Sequence, residues 1–301
     1  MATACIITTP NEEIMTDECK QLYAGLISEY DSVILINPKK TGFCFIRGNK
    51  TPTIYYNGEL LPKIDTAFVR STKYREKSIC VLVHALQHTG CNVVDDIDEI
   101  YMPRWSKLLT SIERWERNVG TTTYIAFSRK TAFKMASECI PMPCIYKPFD
   151  GAQSEDITPI QDSYGLKQNI REFFEEREST DDPYYCQPFI NIQKEYRILV
   201  HDGLVVAMAR KIKKKNMSNP DNVASGSRFK PVRNNTISTF VESNVNNKGI
   251  LGVDLCIDDG NNYHIIETNR APQWTRMNNR SKRNLVKEMI LREKQKIANA
   301  Q

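Results

Sequence analysis

The strongest constraint on the fold is a pair of strand-forming segments that meet at an Asp-Gly turn. Tyr196–Val200 and Leu204–Met208 are rich in apolar and β-branched residues, and Asp202-Gly203 lies between them. An Asp-Gly pair favours the positive backbone angles of a tight hairpin turn. Residues 252–267 repeat this pattern around Asp258-Asp259-Gly260. The C-terminal part of the chain is therefore predicted to contain an antiparallel sheet built from two hairpins.

The preceding residues alternate between short apolar runs and helical spacing. Val33–Ile36 and Thr66–Val69 are typical of strands buried on both faces, whereas residues 79–86 carry apolar side chains at helical spacing. A length of 301 residues suits a compound unit of two or three lobes. We therefore predict an α/β fold with an N-terminal β/α lobe at 1–95, a more helical central lobe at 96–184 and a C-terminal lobe with a helical tail at 185–301.

Composition excludes several classes of protein. No apolar run approaches the roughly 18 residues of a membrane span, and residues 1–9 lack the basic start of a signal peptide. We therefore expect a cytoplasmic protein without a membrane partner. The nine cysteines form no Cys-x-x-Cys pair, which indicates reduced thiols rather than a disulfide framework. A net charge of +5 does not establish nucleic-acid binding, but it is compatible with an anionic ligand such as a nucleotide.

Asp254, Glu267 and Asn269 form the clearest candidate for a metal site. Asp254 lies on the first strand of the second predicted hairpin, and Glu267 and Asn269 lie at the end of its returning strand. Residues two apart on a strand face the same side, so we expect the hairpin to bring the three side chains together. Oxygen ligands of this kind suit Mg²⁺, which also binds substrate phosphates. The alternative reading is a solvated polar face on an edge hairpin.

Two lysines are candidates for phosphate binding. Lys147 ends an apolar strand, and Lys107 lies in Trp105-Ser106-Lys107-Leu108 at the start of a candidate helix. Lysine is a compact positive charge that suits phosphate oxygens. Without further context, both residues could equally be ordinary surface lysines.

A linker and two arginines near the first hairpin are candidates for nucleotide and substrate contacts. Arg197 and Arg210 lie on the two arms of this hairpin, where guanidinium groups suit a phosphate or an acyl phosphate. The alternative is an ordinary hairpin with exposed arginines. The linker ahead of it has backbone amides and carbonyls that suit an adenine edge, and it comprises Gln187, Pro188, Phe189 and Ile190.

In this order, the pieces resemble the ATP-grasp superfamily and, within it, the RimK-like amino-acid and peptide ligases. The resemblance covers most of residues 60–277 and rests on the ordered set rather than on any single motif. The residues that carry it are Val94-Asp95, Lys107-Leu108-Leu109-Thr110, Pro141-Met142-Pro143, Tyr146-Lys147-Pro148, Gln187 to Ile190, Glu195 to Val200, Val205 to Arg210, Gly252 to Leu255 and Ile265 to Pro272.

The resemblance implies a three-lobed ATP-grasp fold that holds Mg-ATP between the central and C-terminal lobes. By position, Lys107 and Lys147 would hold the phosphates. Residues 187–190 would lie at the adenine, and Glu195 would complete the set of nucleotide-binding residues. One segment departs from the family pattern, because residues 149–156 contain a single glycine and three acids where the phosphate-covering loop is usually rich in glycine. Acids near a triphosphate weaken its binding unless a metal intervenes.

The resemblance also implies the reaction. Arg197 and Arg210 would face the γ-phosphate and the reacting carboxylate, and Asp254, Glu267 and Asn269 would bind Mg²⁺, with Mn²⁺ as a substitute. Such enzymes phosphorylate a carboxylate and let an amine attack the acyl phosphate, which forms an amide and releases ADP and phosphate. In-line phosphoryl transfer of this kind needs positioning and charge neutralisation rather than a covalent nucleophile.

Two other functions stay open at this point, namely a small-molecule kinase on the same fold and a non-catalytic nucleic-acid-binding protein. The basic segment from Lys211 to Asn235 is either a solvated loop or an attraction for an acidic second substrate. We expect the basic tail from Arg280 to be a helix that covers apolar surface rather than a nucleic-acid contact. The amine substrate (an amino acid, a peptide or a protein side chain), the carboxylate substrate and the oligomeric state are not fixed by these patterns.

Overall fold

The computed structural model describes residues 2–8, 16–46, 50–70, 77–95, 107–148, 157–176, 183–212, 228–245, 247–269, 272–275, 277 and 284–300. The strands within them are β1 (Thr3–Ile7), β2 (Ser32–Ile36), β3 (Thr41–Cys44), β4 (Thr53–Tyr56), β5 (Glu59–Leu60), β6 (Thr66–Val69), β7 (Asn92–Val93), β8 (Tyr124–Ala126), β9 (Cys144–Tyr146), β10 (Thr158–Ile160), β11 (Tyr184–Pro188), β12 (Ile192–His201), β13 (Leu204–Ile212), β14 (Arg228–Pro231), β15 (Ile250–Asp258) and β16 (Tyr263–Asn269). The helices are α1 (Asp17–Ile27), α2 (Lys77–His88), α3 (Lys107–Glu116), α4 (Arg129–Glu138), α5 (Ser163–Glu176), α6 (Asn235–Asn244) and α7 (Leu285–Ala300).

The strands form an α/β structure with separate parallel and antiparallel sheets. The N-terminal sheet is parallel, in the order β2-β1-β6-β7, and β3-β4-β5 form a small antiparallel sheet. A central antiparallel sheet has the order β10-β9-β11-β8, and the C-terminal antiparallel sheet has the order β14-β13-β12-β15-β16. The lobe boundary expected at residue 184 falls at the first residue of β11, which pairs with β8 and β9 of the central sheet.

Local sequence signals account for most of these elements. The apolar runs at 33–36 and 66–69 are buried or half-buried strands, as predicted, and the side chain of Ser128 caps α4 by accepting a hydrogen bond from the Thr131 amide. Asp202 and Gly203 have φ values of 49° and 73°, which are the left-handed angles that a tight hairpin turn requires.

Two segments expected to be irregular contain regular structure. Residues 158–160 form β10 within the polar segment 150–162, whose composition indicates a loop, and residues 228–231 form β14 within the basic segment 211–235. Both are short strands at the edges of their sheets, and their sequences have little alternation of their own. Pairing with β9 and β13 therefore decides their conformation, because strand preference depends on tertiary neighbours.

The C-terminal helix α7 covers the apolar surface of the N-terminal lobe, as expected for the basic tail. Its inner side chains join a buried cluster with residues of β1 and α1. The two helices approach closely at Gly25 of α1, where an added Cβ would lie 2.7 Å from the side chain of Val286. None of the described helices is long and apolar enough to cross a membrane. The α7 residues in the cluster are Leu285, Val286, Met289 and Ile290.

A buried ion pair joins the N-terminal sheet to the C-terminal sheet. A terminal nitrogen of Arg70 lies 2.6 Å from Oδ1 of Asp95, and both side chains are almost completely buried. The other carboxylate oxygen accepts the amide of Val69 at 2.9 Å, and Oδ1 also accepts the amide of Ile250 at the start of β15. Gly249 permits this approach, because a Cβ there would lie 2.6 Å from the carbonyl oxygen of Val94.

A second buried polar cluster attaches α7 to both lobes. Glu293 is fully buried and accepts hydrogen bonds from His201 at 2.6 Å, Lys296 at 2.8 Å and Asn92 at 2.9 Å. These partners belong to β12, α7 and β7. Burial alone would raise the pKa of Glu293, but the three hydrogen bonds dominate and lower it to about 2. The carboxylate is therefore charged and fully engaged in the folded state.

Replacing Glu293 by Gln should make the free energy of unfolding less dependent on pH in the acidic range. A carboxyl whose folded pKa of about 2 lies below the ordinary 4.5 contributes stability above pH 4.5, and this stability is lost as the pH falls toward 2. At neutral pH we expect Glu293→Gln to lower the free energy of unfolding by about 3 kcal/mol. Urea unfolding across the acidic range should show the two proteins converging as the pH falls. Glu59→Gln, at an exposed position of β5, is the control and should follow the wild type.

Candidate active site

A row of three charged residues crosses three strands of the C-terminal sheet. Arg197 of β12 pairs with Asp254 of β15, which pairs in turn with Glu267 of β16. Directly paired residues on antiparallel strands project to the same face, which we call the charged face. Asn269, two residues beyond Glu267, pairs with Gly252 and shares this face. The structure thus brings together the three residues expected to bind a metal, with Glu267 and Asn269 exposed.

Asp254 and Glu267 share this face because β16 carries one extra residue beside them. Leu255 pairs with Ile265, and the next residue of β15, Asp254, pairs with Glu267. Ile266 lies between the two pairs and forms a bulge. An extra residue in one strand reverses the side to which the following residues project. Without it, Glu267 would project toward the apolar face of the sheet.

Arg197 forms a bidentate salt bridge with Asp254. Its Nε donates to Oδ1 at 2.8 Å, and a terminal nitrogen donates to Oδ2 at 2.7 Å. The guanidinium carbon also lies 5.5 Å from the centre of the Phe229 ring. Burial works to lower the pKa of Arg197, but the hydrogen bonds to Asp254 and the charge of Glu267 outweigh it and raise the pKa. Arg197 therefore neutralises one of two adjacent carboxylates.

Glu195 and Lys211 form a second ion pair on the charged face. The two residues are paired in register, and Nζ of Lys211 donates to Oε1 of Glu195 at 2.9 Å. The Lys211 side chain is only 7% exposed. Burial raises the pKa of Glu195, and the charge of Lys211 opposes this rise. Lys211 is a site residue that the sequence patterns did not single out.

Arg210 lies on the opposite face of the sheet from Arg197. It pairs with Tyr196, whose side chain belongs to the apolar cluster that packs against α6. The cause is a register shift between Leu199 and Val200, since an uninterrupted hairpin would have placed Arg210 opposite Glu195. The structure therefore does not bring the two arginines together, and Lys211 takes the position expected for Arg210.

Lys147, which directly follows β9 of the central sheet, is held by a chain of hydrogen bonds. Its Nζ donates to Oε1 of Gln187 at 2.7 Å. The side-chain nitrogen of Gln187, Nε2, donates to the hydroxyl groups of Thr123 and Tyr185, each at 2.9 Å. The Tyr185 hydroxyl in turn shares a hydrogen bond with that of Ser111. The Gln187 side chain is buried and fully used in this network. It therefore positions Lys147.

The expected adenine linker connects the central sheet to the charged face. Pro188 ends β11, and Phe189 and Ile190 lead to β12. The amide of Phe189 donates to the carbonyl of Pro143 at 2.9 Å, so that this donor is already engaged, while the Phe189 ring is half exposed. The chain order thus places the linker between the Lys147 network and the charged face.

The electrostatics of Cys256 show that Lys147 and Glu195 act on the same spot. Cys256 lies on β15 directly opposite Glu195 and is buried. Burial, together with the charges of Glu195 and Asp258, raises the pKa of its thiol to about 12, and the charge of Lys147 opposes this rise. Lys147 therefore lies close enough to β15 for its ammonium charge to reach the charged face.

Two expected parts of the site lie outside the described residues. Lys107 begins α3, but its side chain is not among those described, and neither is the loop 149–156. Among the described side chains, Lys147, Arg197 and Lys211 balance the three carboxylates Glu195, Asp254 and Glu267. The arrangement can bind a cation through carboxylate and amide oxygens while presenting ammonium and guanidinium groups to an anion.

Removing Lys211 should destabilise the fold through Glu195. Lys211→Met would leave a poorly solvated carboxylate without its ammonium partner, so we expect a loss of about 3 kcal/mol in the free energy of unfolding. In a Glu195→Gln background the same substitution should cost much less. Urea unfolding of the four proteins measures this coupling, and the exposed Lys230→Met on β14 is the control. Equal costs in both backgrounds would show that the pair does not stabilise the site.

Comparison with solved structures shows the same fold over almost the whole chain. The ATP-grasp ligase PsnB, complexed with minimal precursor, Mg and ADP, is 12% identical with a TM-score of 0.71, covering 98% of this chain and 97% of the other. The macrocyclase MdnB from Microcystis aeruginosa MRC is 12% identical with a TM-score of 0.66, covering 95% and 97%.

A third similar structure is the RiPP-associated ATP-grasp ligase of Chryseobacterium gregarium, in complex with ADP and a leader and core peptide. It is 14% identical with a TM-score of 0.63, covering 98% of this chain and 97% of the other. No curated protein matches the chain in sequence. Comparison with protein families matches residues 119–292 to the RimK-like ATP-grasp domain. Because this match covers more than half of the sequence, the chain belongs to the RimK-like ATP-grasp family of ATP-dependent ligases.

Proposed function

We propose that the protein is a Mg²⁺- and ATP-dependent ligase that joins a carboxylate to an amine through an acyl phosphate. The observation that carries the proposal is the row Arg197–Asp254–Glu267, extended by Asn269 on the same face. It places oxygen ligands and a guanidinium side by side within a RimK-like ATP-grasp domain. Phosphoryl transfer needs this combination, because negative charge develops on the transferred group.

The donor set fits magnesium. Two carboxylates and one amide supply only oxygen atoms, and Glu267 and Asn269 are exposed to an incoming ligand. Arg197 already places a positive charge against Asp254, which supports a cationic partner for this carboxylate. Asp254, Glu267 and Asn269 would hold the ion, which would supply neutralisation of phosphate charge as a Lewis acid. Mn²⁺ shares this preference for oxygen ligands and should substitute.

The protein groups would bind and orient the reactants. Lys147, fixed by Gln187, would contact the phosphates, and Arg197 would stabilise charge on the phosphoryl group and on the reacting carboxylate. A carboxylate oxygen attacks the γ-phosphorus and ADP leaves, after which the amine attacks the acyl carbon and phosphate leaves. The carboxylate oxygen that carried the phosphoryl group departs with that phosphate. Lys211 lies next to this path as a further cation.

A peptide is the substrate class that the comparisons support best. PsnB was solved with a minimal precursor, and the Chryseobacterium enzyme with a leader and core peptide. Exposed basic residues lie on the edge strand β14 and just after it, namely Arg228, Lys230 and Arg233, and the first two project from the face opposite the charged face. We propose that both the carboxylate and the amine are peptide or protein side chains and that the peptide is acidic.

Nucleotide binding tests the proposed site without any peptide. Calorimetry with ADP should show tighter binding in Mg²⁺ than in EDTA for the wild type. Asp254→Asn and Glu267→Gln should each remove most of this gain, by at least about tenfold, because each deletes a charged metal ligand. Asp259→Asn, in the turn of the same hairpin, should behave as the wild type. Equal ADP affinity in Mg²⁺ and EDTA for the wild type would refute the proposal.

Isotope transfer tests the reaction itself. Acidic peptides that also carry lysine, with ¹⁸O in their side-chain carboxylates, would be incubated with Mg-ATP. An acyl-phosphate route moves one ¹⁸O into the released phosphate and leaves a peptide lighter by one water, which mass spectrometry detects. Labelled phosphate would be absent if a hydroxyl were the acceptor, and a stable phosphopeptide would identify a kinase instead.

A further inference from the structure

Arg114 contacts the strand that presents the two exposed oxygen ligands. It lies on α3, is almost completely buried, and one terminal nitrogen donates to the carbonyl oxygen of Ile266 at 2.5 Å. The same nitrogen lies 3.4 Å from the carbonyl oxygen of Ile265. The Ile266 carbonyl belongs to the peptide bond that leads into Glu267. Arg114 therefore holds the backbone immediately before a proposed metal ligand.

The contact falls on the bulged residue. Ile266 is the extra residue of β16, so its peptide has no regular place in the ladder with β15. A buried carbonyl that lacks a ladder partner needs another donor, and a guanidinium makes a strong charge-assisted one. Arg114 thus stabilises the register in which Glu267 faces Asp254.

The segment after α3 supports β16 on the same outer side. β16 is an edge strand of the C-terminal sheet. The amide of Ile265 donates to the carbonyl of Val119 at 2.7 Å, and Gly120 forms an isolated parallel bridge with Ile265. Gly120 also packs against Arg114, because a Cβ added there would lie 2.7 Å from the Cβ of Arg114. Arg114 and Gly120 therefore replace a neighbouring strand at the one place where the ladder is irregular.

We infer that Arg114 is a positioning residue for the metal site, acting through the Ile266 bulge on Glu267 and Asn269. The inference rests on the proposed function and adds to it a residue from outside the family match, which begins at residue 119. Arg114 contacts the backbone of β16 at the carbonyl oxygens of Ile265 and Ile266. Its role is to keep β16 in the register that aims those side chains at the same point as Asp254.

The test compares the gain in ADP affinity on adding Mg²⁺, measured by calorimetry as the ratio of dissociation constants in EDTA and in Mg²⁺. Arg114→Met should reduce this ratio by about tenfold, the usual effect of losing a group that orients a metal ligand, with little change in EDTA. Arg114→Lys, which keeps one charged donor, should recover part of the ratio. Arg117→Met is the matched control, because Arg117 directly follows the same helix but donates to the carbonyl of Asn244 on α6.

Gly120→Ala provides an independent variant that retains the arginine at position 114 but changes its surroundings. The added Cβ must displace Arg114, so the ratio should fall in the same direction even if Arg114→Met does not fold. A merely structural role for Arg114 would lower the unfolding temperature and leave the ratio of the folded protein unchanged, which would overturn the inference. If Glu267→Gln lowers the ratio of dissociation constants while Arg114→Lys and Gly120→Ala keep the wild-type ratio, the proposed function stands and this inference fails. A wild type without any gain from Mg²⁺ would refute both.

Discussion

Two register shifts, each of one residue, decide which side chains meet on the charged face. In paired strands, an extra residue reverses the side of every residue beyond it. In β16 the extra residue is Ile266, next to Glu267. In β13 it is Val206, which places Lys211 on the charged face. The opposite face of the same strands carries the apolar cluster that packs against α6. A sheet with regular pairing throughout would have carried the same residues without assembling this site.

The register matters only because the sheet is fixed against the rest of the molecule. Asp95 reaches from the end of the N-terminal sheet to the first amide of β15, and its pairing with Arg70 lets the carboxylate stay buried. Glu293 links α7 to β12 and β7 in the same manner. Both carboxylates lie where lobes meet, so breaking either would leave an unpaired charge at a junction. The charged face is thus built on a rigid support, as a site that must position reacting groups requires.

Sequence reasoning found the parts of the site that depend on local patterns. Asp-Gly turns located both hairpins, and residues two apart on a strand correctly grouped Glu267 with Asn269. It placed Arg210 rather than Lys211 at the site, because nothing in a single sequence fixes the position of a bulge. Arg114 gave no signal either, since its role depends on a contact with a strand 151 and 152 positions later in the chain. Long-range contacts of this kind follow from packing rather than from periodicity.

The bidentate pair of Arg197 and Asp254 affects the free energy with which the proposed site would bind a cation. Two carboxylates on neighbouring strands repel each other, and Arg197 removes that repulsion before any ligand arrives. A cation alone would have to displace a well-aligned guanidinium, at a cost of about 1–3 kcal/mol. A cation that arrives with a phosphate chain offers the displaced guanidinium a new anionic partner. The geometry therefore favours joint binding of metal and nucleotide over binding of the metal alone, and it makes Arg197 the residue through which the two are coupled.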